Sequence, residues 1–246
     1  MIDPELAALV DVLPVVDLND IQVARDAFEQ LITSLSAEIP GIDTLEIEDR
    51  LVPGHLDDPD VPVRVYRPMT PRNPPVPGVL YIHGGGLSAA TALLARDLGG
   101  PPLCFQMLQI PELDNRLDTP SMQAFVDSPV WNRPLAVISW RAYLGELSGA
   151  RDIPVYASPA RASDLSGLPP AYISTAENDP LRDEGIIYAM RLLQAGISVE
   201  LHQFPGTFHG SAMVTTAAVS KRAAREAAVV LRKALGVERE GATASG

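Results

Sequence analysis

Four short apolar runs constrain this chain more than anything else in it: VLYIH (79–83), PLCFQMLQI (102–110), PPAYISTA (169–176) and ISVELHQF (197–204). The first three read as buried strands without the strict alternation of a half-wet one, and ISVELHQF as a fourth strand. Helical patterns separate them. LSAATALLARDL (87–98) is stopped by Gly99-Gly100, and residues 117–150 read as amphipathic helix with Trp131 and Trp140 inside. LRDEGIIYAMRLLQAG (181–196) and AAVSKRAAREAAVVLRKALG (217–236) complete the set. Strands that alternate with helices predict an α/β fold, a mainly parallel sheet with helices on both faces. Binding and catalytic groups in such sheets collect at the carboxyl ends of the strands.

The first third reads differently. Asp3-Pro4 opens a short helix, and a second runs from about Asp20 to Ala37, with Ala24, Phe28, Leu31, Ile32 and Leu35 on one face. LEIEDRLV (45–52) and VPVRVYRP (61–68) alternate apolar and polar residues, which predicts antiparallel strands with one wet face. The proline-rich stretch 68–78 is expected to be an exposed loop.

Composition excludes several function classes. A net charge of −12 argues against nucleic acid or an anionic membrane as partner. No apolar run has the roughly 18 residues of a spanning helix. The N-terminus has early acids and no basic region, so it does not read as a secretory signal. The single cysteine, Cys104, allows no internal disulfide and fits a reducing, cytoplasmic setting; its apolar neighbours place it in the core rather than in chemistry. No histidine pair or cysteine cluster has metal-ligand spacing, and the glycine run lacks the lysine and serine of a phosphate loop, so neither a metal nor a cofactor is expected.

Three motifs fall at strand ends. In STAENDPLRDEG, Asp179 precedes a proline that suits the first position of a helix. It reads equally as an N-cap or as a functional carboxylate. In FPGTFHG, His209 follows the last strand by a short loop, 30 residues and one strand–helix step after Asp179. An aspartate on the neighbouring loop can fix the tautomer of such a histidine, which can then act as a general base. Of the other histidines, His55 lies in an acidic loop, His202 alternates along a strand as a structural residue, and His83 opens the glycine run. In YIHGGG, a strand ends in three glycines, a turn tight enough to point backbone N–H groups into a cavity and stabilise an oxyanion.

With these motifs the chain resembles the hormone-sensitive-lipase-like esterases, the α/β-hydrolase branch with an HGGG motif. The resemblance rests on YIHGGG (81–86), GLSAATALLARDLGGPPLCFQ (86–106), PVYASPARASDLSGLPPAYI (154–173), TAENDPLRDEG (175–185) and VELHQFPGTFHG (199–210). It implies an α/β-hydrolase domain over 41–236, cap helices over 1–40 and a second cap segment over 117–150; residues 237–246, VEREGATASG, read on their own composition as a frayed tail. It further implies Asp179 and His209 as the acid and base of a triad, and Gly84 and Gly85 as oxyanion donors within the His83–Gly86 motif. A small-molecule ester or acyl-like ligand is the implied partner.

The chain departs from the family at one place. No G-x-S-x-G nucleophile elbow occurs in it, and the HGGG turn runs directly into the helix that normally follows the elbow. Central strands and helices are therefore expected to be missing, with the join inside Gly84–Gly86. Ser88, in Gly86-Leu87-Ser88-Ala89-Ala90, is the nearest substitute for the nucleophile; it reads also as a first-turn residue of a helix. Three outcomes stay open: a Ser–His–Asp carboxylic-ester hydrolase for short or medium acyl chains, a non-catalytic relative that binds an acyl-like ligand or a partner protein, and a truncated product with no function. Strand edges left bare by the gap favour a homo-oligomer.

Overall fold

The computed structural model describes residues 1–10, 18–36, 44–54, 59–69, 78–82 and 84–237. Their contacts group into two units, one of Met1–Ala24 with Tyr81–Gly246 and one of Arg25–Leu80.

The larger unit begins with helix α1 (Pro4–Val10). Asp3 caps it, its Oδ1 accepting the Glu5 N–H at 2.9 Å. The main-chain N–H of Asp3 donates to the Gly206 carbonyl at 2.9 Å, which ties α1 to the loop that carries His209. Leu6 is buried there against Phe208, Val214 and Ala217.

Three strands form the sheet of this unit: β3 (Gln106–Gln109), β4 (Ala171–Ala176) and β5 (Val199–Phe204). They are parallel and in the order β3-β4-β5, with Gln106 opposite Ala171 and Ala171 opposite Val199. Every residue of β4 is buried, as in a strand covered on both faces. Helices α3 (Gly85–Asp97) and α6 (Arg182–Gln194) pack on the sheet. From α6, Gly185, Tyr188, Ala189 and Leu192 are buried at helical spacing. They meet Ala89, Ala92 and Leu93 of α3, Leu108 of β3 and Ile173 of β4 in the main core. Two capped helices follow β3. Thr119 accepts from the Met122 N–H ahead of α4 (Pro120–Ala124), and Asn132 accepts from the Leu135 N–H ahead of α5 (Arg133–Leu144). Helix α7 (Ala218–Ala234) closes the described chain. Among the described residues no helix is long and apolar enough to cross a membrane.

The smaller unit holds most of α2 (Ile21–Ser36) and an antiparallel pair, β1 (Leu45–Val52) with β2 (Val61–Pro68). Asp20 caps α2 through its Oδ1, 3.1 Å from the N–H groups of Gln22 and Val23. The predicted dry face of the strand pair is not realised within this unit: Ile47 and Tyr66 are each 57% exposed. A two-stranded ribbon has no second layer of its own to bury them.

Two further expectations are corrected. VLYIH is not a strand: residues 78–82 have no ladder partner, and Val79, Leu80 and Tyr81 are 60–81% exposed. An apolar run can hold a strand only where a neighbour satisfies its backbone, and α3 begins at once after the glycine turn. PLCFQMLQI contributes only its last part to β3, so Cys104 is exposed rather than in the core. His55, His83, most of the 68–78 linker, the tail from 238 and the side chains of Phe28, Leu31, Ile32 and Leu35 lie outside the described residues.

Candidate active site

The loops after β4 and β5 are stitched together by short local bonds. The main-chain N–H of Asn178 donates to the Thr207 carbonyl at 2.8 Å. Glu177 Oε2 accepts the Gly206 N–H at 2.6 Å, and Thr207 Oγ1 donates to the Phe204 carbonyl at 2.7 Å. These bonds set the distance between the two residues the sequence singled out. His209 Nδ1 lies 2.9 Å from Asp179 Oδ2. The other oxygen, Oδ1, accepts the Leu181 N–H at 2.9 Å, so Asp179 serves both as the turn residue ahead of α6 and as the partner of His209.

The side chain of Asp179 is 1% exposed and that of His209 is 21% exposed. A carboxylate acceptor on Nδ1 selects the Nδ1–H tautomer and leaves the Nε2 lone pair free for a proton. Burial pushes the His209 pKa down. The charge and hydrogen bond of Asp179, with the charge of Glu112, outweigh it and hold His209 above its ordinary value. The Trp131 ring packs on the imidazole, centroids 5.7 Å apart.

His209 opens onto a cavity of about 540 Å³, within the usual range for small-molecule sites. Tyr172, Ser174 and Ala176 of β4, Phe204 of β5 and Val219, Ser220 and Ala223 of α7 form one side of it. Ser139, Trp140 and Tyr143 of α5 and Trp131 form another.

The glycine run lies at the edge of the same cavity. Gly84 is the N-cap of α3 with φ 91°, a value only glycine takes without strain, and Gly84, Gly86 and Leu87 line the cavity. Gly85 and Gly86 form the first turn. A Cβ on Gly86 would stand 1.8 Å from the Glu112 carbonyl oxygen, and one on Gly85 would stand 2.8 Å from Pro111 Cβ. These two glycines therefore let α3 press its amino end onto the chain leaving β3. The first N–H groups of a helix have no acceptor within it, so this end is a ready donor to developing negative charge.

Ser88 lies one residue further along, half-buried in α3, its N–H 3.4 Å from the Gly84 carbonyl, and it is not among the residues lining the cavity. Ser121 and Ser128 are tied elsewhere, donating to the carbonyls of Pro180 and Trp131. His202 is held between Glu200 and Glu226, 2.9 Å from each.

The sequence reading missed Glu112. It lines the cavity, its Oε1 is buried with no hydrogen-bond partner among the described residues, and burial pushes its carboxyl up to about 7. The signal was a carboxylate three residues beyond the parallel strand β3, which ends at Gln109. Ile110, also on the cavity wall, has φ 41°, a conformation β-branched residues avoid.

Residues 83–213 match the model of a family described as alpha/beta hydrolase fold. The chain belongs to the hormone-sensitive-lipase-like branch of the α/β-hydrolase family. Among its α/β-hydrolase relatives is the carboxylesterase NlhH of Mycobacterium tuberculosis, 32% identical over 288 positions that cover 85% of this chain and 88% of the relative. Esterase LipI of the same species is 40% identical over 127 residues, 52% of this chain and 39% of LipI. The solved structure of a bacterial heroin esterase superposes with a TM-score of 0.87 at 40% identity, covering 95% of this chain and 98% of that one. The NlhH alignment is longer than the whole 246-residue chain, so that α/β hydrolase carries interior residues with no counterpart here.

Proposed function

We propose that the cavity takes small carboxylic esters of short or medium acyl chain, with His209 as general base and Asp179 as the acid that orients it. The observation that carries this reading is the 2.9 Å bond between His209 Nδ1 and Asp179 Oδ2 at the wall of the aromatic-lined cavity. The amino end of α3, with Gly84 and Gly85, supplies the oxyanion donors. Because Ser88 stands outside the cavity lining and none of the serines that do line it is hydrogen-bonded to His209, the attacking group on this reading is water. His209 Nε2 takes a proton from it as the oxygen adds to the ester carbonyl. The tetrahedral oxyanion is met by the α3 N–H groups. The proton then passes from His209 to the departing alkoxide, leaving acid and alcohol.

Without a serine to form an acyl-enzyme, turnover is expected well below that of an elbow-bearing relative. Hydrolysis of a p-nitrophenyl acyl ester, lost at least tenfold in His209→Ala and in Asp179→Asn, supports the reading. A stoichiometric fluorophosphonate adduct on Ser88 would overturn the water route and restore a Ser–His–Asp mechanism. The missing G-x-S-x-G favours a second reading, a relative that binds an acyl-like ligand without turnover; saturable binding with no hydrolysis in the same assay identifies it.

A further inference from the structure

We propose that the cavity is selective for ligands that carry an ammonium group, with Glu112 as the residue that sets this selectivity. Several observations converge on it. Among the described residues no lysine or arginine lines the cavity. Its aromatic walls include Trp131, Trp140, Tyr143, Tyr172, Phe204 and Phe208, and the faces of such rings attract organic cations. Among the described residues Glu112 is the one carboxylate on the lining, and Asp179 adds a second negative charge just behind His209. The Oε1 of Glu112 is buried with no partner among the described residues, an arrangement a buried carboxylate sustains poorly alone and well with a donor. An ammonium group in the cavity supplies the missing counter-charge, and its apolar remainder has aromatic surface to cover. Strain also gathers here: Ile110 and Val130, both β-branched, have φ 41° and 65°, two residues before Glu112 and one before Trp131.

In combination with the reading above, on which this part rests, the substrates are esters with an amine on the acyl or the alcohol side. The selectivity itself needs no turnover to be seen. The chain has two tryptophans, and both line this cavity, so intrinsic fluorescence reports its occupancy. The experiment compares 4-phenylbutylammonium with its neutral counterpart 4-phenylbutan-1-ol at about pH 9, where a primary alkylamine is still mostly cationic. Wild type is expected to bind the ammonium at least about tenfold more tightly. Glu112→Gln is expected to bring the two within about twofold, chiefly by weakening the ammonium.

Equal affinities in wild type, a preference that persists in Glu112→Gln, or no fluorescence response to either ligand overturns the proposal. The wild-type comparison stands even if the variant fails to fold. Ammonium selectivity without hydrolysis of any amine-bearing ester leaves the cation site standing and removes the hydrolase reading. Hydrolysis of neutral aryl esters with no ammonium preference does the reverse.

Discussion

Asp179 and Glu112 act on the same histidine but are held in opposite ways, and the difference is measurable. Asp179 spends both oxygens on hydrogen bonds, to His209 and to the Leu181 N–H. His209 in turn titrates above its ordinary value. A histidine raised on folding contributes stability that is fully present below its unfolded value of about 6.5 and is lost as pH rises through the folded one. Asp179→Asn is therefore expected to move the His209 titration downward in an NMR pH series. The melting temperature of the variant should fall most relative to wild type on the acid side of that window. An unchanged His209 titration would show that Asp179 does not control it.

Glu112 is raised as well, here by burial rather than by a partner. Its unfolded carboxyl ionises near 4.5 and its folded one near 7, so the folded state holds a proton the unfolded state has released. Stability then falls as pH rises between those values, by at most about 3 kcal/mol. Glu112→Gln is expected to remove this slope and to be more stable than wild type at pH 8, as judged by denaturant unfolding. Wild type would then retain Glu112 at a cost in stability.

At the scale of elements, the glycine run shows how two motifs were made to share three residues. The sequence presented Gly84–Gly86 as an oxyanion turn. In the fold, Gly85 and Gly86 are the close-packed first turn of α3, and only Gly84 keeps a turn conformation. Gly86→Ala sets a methyl group against the Glu112 carbonyl and is expected to destabilise by about 3 kcal/mol or more, since neither backbone can yield cheaply. Gly84→Ala meets no atom but forces a side chain into φ 91°, a cost of about 1–3 kcal/mol. Chemical denaturation of the two variants separates steric from conformational cost, and equal small effects would mean that α3 is not pressed against this loop.

The elements that were legible are those whose signals are local. α6 begins where an acidic first turn follows Pro180, α3 ends on Gly99-Gly100, and β4 and β5 are unbroken apolar or alternating runs between turn residues. The His209–Asp179 pair was legible for the same reason, as its spacing is one strand–helix step. VLYIH and Cys104 were misread because an apolar run becomes a buried strand only when a partner lies beside it, and no local pattern reveals a missing neighbour. Glu112 was missed because a single carboxylate in a loop carries no periodicity.

For the molecule as a whole, the gap has an edge. Among the described residues β3 pairs on one side only, with β4, and its other side has no ladder partner. Bare edges recruit strands from other chains. Self-association is expected, seen as a sedimentation coefficient that rises with protein concentration. Met107→Lys, which sets a charge on β3, should reduce it. A concentration-independent monomer in both proteins would show that this edge is covered.

Asp179 and His209 lie in a single continuous stretch, from the first residue of β4 to His209, and the bonds that set their spacing join loops inside that stretch. Residues 171–209 thus behave as a cassette. An interior loss upstream can erase strands, reassign a glycine turn and bare an edge without altering the register of this pair. In a lineage of shortened chains, the dyad would be the last part of the old machinery to lose its shape, and a histidine in good order is then no guarantee that its nucleophile is still present.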